Sequence, residues 1–294
     1  MTVESLDQLP DRARALLRGA TDIHVHSSPD PYTERRMDAR TVVAQAREAG
    51  MAGVVLKSHE YPTQPLAWAL ASEQDGGGAA HVRIYGGLSL DHALGGLNPE
   101  AVTVSMRMGA TVMWMPTFDA AHWRTYRPEH FHSDGDPITV LDADGNLLPV
   151  CHDILDVLAE HDAVLASGHL STEETVVLVT EARRRGVRTV ITHAAFWIPV
   201  EVQSELAALD AYVEQCGGPT LHAGASDDVA ARILEQVRAV GPEHVILSTD
   251  LGQAANPDPA LGFGLWIERC LAGGFDDADV ARMVQENPAA LLGA

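Results

Sequence analysis

The chain has 294 residues, 46% of them hydrophobic and 21% charged, a make-up that excludes a disordered protein. Lysine and arginine total 20 against 41 aspartates and glutamates, a formal net charge of −21. That charge argues against nucleic acid as a partner, because phosphate binding needs a basic face, and against an anionic membrane surface.

No apolar run approaches the roughly 18–20 residues of a membrane span. The first residues, MTVESLDQLPDRARALL, lack the basic-then-apolar order of a signal peptide and read as an amphipathic helix. Cys151, Cys216 and Cys270 are far apart and odd in number, so neither a disulfide framework nor a cysteine zinc site is indicated. The expected setting is cytoplasmic. Two details stand out: 14 histidines, and Lys57 as the single lysine in a chain that otherwise uses arginine.

In chain order, short apolar runs alternate with helical patterns. The predicted strands are 21–28, 51–59, 83–90, 110–117, 163–170, 189–195, 210–216 and 245–251. Helical stretches lie between most of them, among them 38–49, 98–108, 152–161, 172–185 and 226–239. Ser171 through Glu174 has capping-box spacing, and Ser226 is a predicted N-cap. Gly76-Gly-Gly78 follows no strand and reads as a loop rather than a phosphate cradle. Strand–helix alternation implies parallel pairing through right-handed crossovers. Eight such units predict an α/β fold, a single (β/α)8 TIM-type barrel spanning residues 1–294.

One connection is long. Residues 118–149, after the fourth predicted strand, leave the face where barrel active sites form and read as a lid insertion ending in a hairpin at Asp144-Gly145. His122, Trp123, Arg124, Tyr126, Arg127, His130 and His132 on it are placed to meet a substrate.

Metal-competent side chains recur at strand ends. His24 and His26 point to one side of the first strand by period-two alternation and suit a bidentate clamp. His169, His193 and Asp250 end the fifth, sixth and eighth strands. Lys57 ends the second, with His59 two residues on. A lysine there has three readings: metal ligation after N-carboxylation by CO2, hydrogen bonding to substrate or a carboxylate, or no role. Glu214 and His222 line the predicted pocket, Trp114 and Trp197 pack at strand ends, and Asp22 is a candidate acceptor for the imidazoles. No GxSxG elbow occurs and Cys216 lacks an adjacent base, so Ser or Cys nucleophilic catalysis is not expected.

His24-Val-His26, His169, His193 and Asp250, in this order and spacing, resemble the amidohydrolase superfamily, and the tail Asn287-Pro-Ala-Ala-Leu-Leu292 is similar to its closing helix. Trp114-Met-Pro-Thr117, Ser167-Gly-His-Leu-Ser171 and Asp250-Leu-Gly-Gln253 are most similar to a bacterial branch, the DUF6282-type proteins, near the phosphotriesterase and TatD-like groups. The resemblance implies a hydrolase with one or two divalent cations, zinc first and manganese or iron as alternatives. His24, His26, Lys57, His169, His193 and Asp250 are the implied metal ligands. Either Lys57 supplies the bridge from the second strand as a carbamate, or the site is mononuclear; Asp250, His193 and Lys57 are the expected catalytic set. The expected substrate is a small amide, cyclic amide or ester, attacked by a metal-activated hydroxide. His59, Trp114, Arg124, Arg127, Glu214 and His222 are its expected contacts, and the protein is expected to form a homo-oligomer. The chain departs from the binuclear pattern at Trp114-Met115-Pro116-Thr117, where neither lysine nor glutamate stands. A mononuclear decarboxylase of the same superfamily is therefore the alternative.

Overall fold

A computed structural model of the chain describes residues 3–74, 81–130, 133–222 and 224–294. The predicted loop Gly76–Gly78 and His132 lie outside the described residues. The chain divides into two compact units, one of residues 1–56, 66–85 and 215–294, the other of residues 57–65 and 86–214. No helix among the described residues is long and apolar enough to cross a membrane.

The first unit holds β1 (Thr21–His26), β2 (Gly53–Lys57, whose last residue opens the second unit) and β3 (Arg83–Tyr85), in the order β1-β2-β3. β2 and β3 run parallel, Gly53 opposite Arg83 and Val55 opposite Tyr85. β1 also lies beside the chain that leaves β9 (Val245–Ser248), through a parallel bridge between Val25 and Leu251. Every residue of β1 and β9 is buried, as expected of parallel strands covered on both faces. Helix Pro259–Ala272 supplies Phe263 and Trp266, both fully buried, and the Trp266 indole donates to the Gln215 carbonyl at 3.3 Å.

The second unit is a parallel sheet ordered β4 (Gly87–Ser89), β5 (Val112–Trp114), β6 (Val164–Ala166), β7 (Arg188–Ile191) and β8 (Tyr212–Cys216), the last of which ends in the first unit. Its register aligns Ser89, Trp114, Ala166 and Val190. Strand ends carrying chemistry are thereby brought level. Leu88, Met113, Met115, Ile154, Leu155, Leu158 and Leu165 form its core. Two helices start as their sequences dictate. Asn98 accepts from the Glu100 and Ala101 amides, and Ser171 and Glu174 form the predicted capping box. Ser226 makes no side-chain capping bond, although helix Asp227–Val240 starts where expected.

The eight predicted strands appear with one correction. The run 83–90 is broken at Gly86 into β3 and β4. A Cβ at Gly86 would lie 2.5 Å from the Gln64 backbone, so only glycine fits and the ladder stops there.

The insertion 118–149 is an ordered part of the second unit over its described residues. It carries helix Ala121–Tyr126 and a hairpin closed by the Leu141–Leu147 bridge. Trp123, Val140 and Leu147 are buried in the unit's core, and Glu174 accepts from the Thr139 hydroxyl at 2.7 Å and the Val140 amide at 3.1 Å.

Candidate metal centre

In the first unit, period-two alternation on β1 turns His24 and His26 to one side, both buried, with ring centroids 5.2 Å apart. The turn after β9 brings Asp250 to them. Its Oδ1 lies 3.3 Å from His24 Nε2 and 3.1 Å from His26 Nε2. One ligand atom from each residue falls within 4.8 Å of the others. Two imidazole nitrogens and a carboxylate oxygen at this spacing fit a divalent cation such as zinc.

The local backbone is built for this convergence. The Asp250 amide donates to the His24 carbonyl at 2.9 Å, and the His26 amide to the Leu251 carbonyl at 2.8 Å. Gly252 follows at φ +136°, and a Cβ there would sit 2.1 Å from the His26 carbonyl oxygen. Below the ligands, buried Asp22 accepts from the Thr249 hydroxyl at 2.6 Å and from the Thr249 and His24 amides at 3.1 Å each. This bonding ties the strand bearing both histidines to the turn bearing Asp250.

Among the described residues, four other than glycine adopt left-handed backbone: Asp162, His193, Asp210 and Asp250. Asp162 and Asp210 follow helices, where such a residue commonly ends the helix. His193 and Asp250 follow strands β7 and β9 instead, and strain of this kind clusters at functional sites.

The second unit holds most of the other predicted residues. Lys57 is buried, its Nζ 5.5 Å from the centroid of the Trp114 ring. His169 is buried with its ring centroid 5.3 Å from that of His193, 5.9 Å from that of His59 and 4.2 Å from that of Trp123. Glu214 is buried and accepts from the His193 amide at 3.2 Å. Trp197 is half-buried, and its indole donates to the Leu170 carbonyl at 2.8 Å.

The two predicted arginines are engaged within the insertion itself. Arg124 donates to the Gly135 carbonyl and lies 3.8 Å from Asp119, while exposed Arg127 donates to Glu129 at 2.5 Å. His222, in the first unit, is exposed just after the short helix Gly218–Leu221. A cavity of about 490 Å³ in the second unit is lined by His122, Thr139, Asp142, Glu173 and Glu174 among others, but by none of the predicted metal ligands. Burial pushes the Cys151 thiol up to about 12 and the Cys270 thiol upward, so neither is a ready thiolate.

Sequence reasoning missed Asp91 and Thr117. Asp91 follows the apolar end of β4, and Oδ1 of its fully buried carboxylate accepts from the Thr117 amide at 2.8 Å and the Asp119 amide at 3.0 Å. Its Oδ2 accepts from the Thr117 hydroxyl, and Thr117 Oγ1 is in turn 2.6 Å from His59 Nδ1. Burial raises the Asp91 carboxyl to about 6, against the lowering effect of these hydrogen bonds. The only sequence signal is a carboxylate directly after an apolar strand.

Residues 19–214 match the family described as a family of unknown function, DUF6282. The chain belongs to the DUF6282 family. This DUF6282 chain has no significant match among curated proteins. It is similar to solved structures across nearly its whole length. One is an amidohydrolase from Pseudomonas aeruginosa, 13% identical, covering 95% of this chain and 98% of that one with a TM-score of 0.66. Another is an Xaa-Pro dipeptidase with methionine bound in its active site, 14% identical, covering 94% and 75% with a TM-score of 0.61. A third is a 2,6-dihydroxybenzoate decarboxylase with 2,6-dihydroxybenzoate, 12% identical, covering 94% and 100% with a TM-score of 0.55. At these identities the likeness is one of fold: this DUF6282 chain has the α/β fold of the amidohydrolases.

Proposed function

We propose that this protein is a metal-dependent hydrolase of small amides, cyclic amides or esters. The observation that carries the reading is the convergence of His24, His26 and Asp250 on one point at ligand spacing. The likeness in fold to an amidohydrolase and a dipeptidase supports it. The proposal keeps the (β/α)8 barrel reading of the strand–helix alternation, with 118–149 as its lid.

In this reading His24, His26 and Asp250 hold one divalent cation, and His169 and His193 hold a second with Lys57 as a carbamate. Zinc would be the first choice by donor type, since imidazole and carboxylate ligands suit it. A cation so held supplies a Lewis acid for the scissile carbonyl and lowers the pKa of water. Asp250 takes the proton of the attacking water on a carboxylate oxygen and passes it to the leaving group. In the mononuclear alternative His193, whose backbone amide is held by Glu214, is instead the acid/base group. Asp22 fixes the backbone of His24 and of the turn before Asp250, so both keep their positions through turnover. Trp123 and Trp197, with ring centroids 4.2 and 5.9 Å from that of His169, exclude water from that imidazole.

Chelation followed by re-addition of zinc, manganese or iron tests the reading on a panel of small amides, cyclic amides and esters. Hydrolysis should vanish and return with one of the metals. Persistence of full hydrolysis after chelation overturns it. The second reading, mononuclear decarboxylation, draws on the Trp114–Thr117 segment, which offers neither lysine nor glutamate, and on the likeness in fold to a decarboxylase. Release of CO2 from a carboxylated aromatic acid, without hydrolysis of the panel, would establish it instead.

A further inference from the structure

His59 stands two residues beyond β2, buried, with its ring stacked on Phe118 at 3.8 Å and an interplanar angle of 14°. We propose that Asp91, acting through Thr117, holds the His59 imidazole as the Nδ1–H tautomer. Its Nε2 is then an acceptor and not a donor toward any group that reaches it.

Both oxygens of Asp91 are in use: Oδ1 takes the amides of Thr117 and Asp119, and Oδ2 takes the hydroxyl of Thr117. A threonine hydroxyl has one proton, and here it is spent on Asp91. Its oxygen can therefore only accept from His59 Nδ1, 2.6 Å away. A neutral imidazole carries a single N–H, so fixing it at Nδ1 leaves the lone pair at Nε2. The neighbouring acidic group, Asp119, is turned to the His92 amide at 2.7 Å and to Arg124 at 3.8 Å. Asp91 is ionised above its value of about 6, which is the state that accepts all three hydrogen bonds.

The consequence is a choice of hydrogen-bonding chemistry at Nε2. A lone pair at His59 Nε2 favours an N–H or O–H group opposite it, as in an amide, a hydroxyl or a water, and repels a carboxylate oxygen. Asp91 and Thr117 are positioning residues for His59. The inference rests on the geometry of the second unit and does not depend on the metal reading.

The test is NMR of the full-length protein, prepared with zinc as the only divalent ion and labelled with 15N at histidine. Spectra are taken at about pH 8, well above the Asp91 value. His59→Gln identifies the His59 resonances by their loss. The wild type and Thr117→Ser should both show a pyridine-type Nε2 and a pyrrole-type Nδ1. Asp91→Asn places an amide nitrogen where Oδ2 stood. That nitrogen donates to the Thr117 oxygen, so the hydroxyl turns to donate to Nδ1 and the ring switches to the Nε2–H form. Thr117→Val removes the bridge and should give a mixture of both forms. A pyrrole-type Nε2 in the wild type, or no change in Asp91→Asn and Thr117→Val, overturns the proposal. Should Asp91→Asn fail to fold, the comparison of Thr117→Val with Thr117→Ser decides by itself.

Discussion

The carboxylate of Asp22 and the hydroxyl of Thr249, 227 residues apart in the chain, are joined by a 2.6 Å hydrogen bond. That bond, with the amide contacts beside it, fastens the strand carrying His24 and His26 to the turn carrying Asp250. Asp22→Ala leaves the buried Thr249 hydroxyl and amide without this acceptor. The expected cost is about 2–3 kcal/mol of stability, as for a buried hydrogen bond to a charged group. The midpoint of chemical denaturation measures it, and metal content should fall in the same variant. An unchanged midpoint contradicts the structural role assigned to Asp22.

Gly252 makes the same point from the backbone side. Its φ of +136° and the 2.1 Å that a Cβ would leave to the His26 carbonyl oxygen forbid any side chain. Gly252→Ala must displace His26 or the turn. A loss of about 1–3 kcal/mol is expected from the backbone strain alone. Weaker metal binding should accompany it, read by titration with a zinc-sensitive dye.

Metal removal should lower thermal stability. A ligand bound only by the folded state adds about 2.7 kcal/mol when free at a hundred times its dissociation constant. Differential scanning calorimetry with and without chelator should therefore show a lower Tm in chelator. His26→Ala should show the low Tm in both conditions. A wild-type Tm indifferent to chelator would remove the metal from the account.

Asp91 predicts an opposite slope to that of most carboxylates. Its folded value is raised to about 6 from an ordinary 3.8, so the folded state holds the proton more tightly. Its contribution is fully present below about pH 4 and is lost as pH rises through 6. At 1.36 kcal/mol per unit, the change amounts to about 3 kcal/mol. Asp91→Asn keeps the acceptor for the two backbone amides but has no proton to lose. The difference in unfolding free energy between wild type and Asp91→Asn should therefore shift in favour of the variant between pH 4 and 6. A flat difference across that window would show that Asp91 titrates normally.

Much of this was legible in the sequence because strand ends concentrate the chemistry. Burial of HxH on β1, and of single histidines after β6 and β7, follows from apolar runs that end in a metal-competent residue. The capping box at Ser171 was readable because both partners lie within four residues. The break at Gly86 was not, since the run 83–90 is continuous in hydropathy and only the backbone of Gln64 interrupts it. The Asp91–Thr117–His59 chain was invisible for a similar reason: its members come from three separate segments and share no local pattern. Arg124 and Arg127 read as substrate contacts in the sequence; in the structure they lie beside Asp119 and Glu129, both close in the chain.

The central claim is a pair of cations with Lys57 among their ligands. The direct test is metal content per chain, by elemental analysis, for wild type and Lys57→Ala prepared with bicarbonate and without chelator. Two metals per wild-type chain, and at least one fewer in the variant, is the predicted result. One metal in both proteins would contradict it, make Lys57 a substrate-side residue and shift the balance toward the mononuclear decarboxylase.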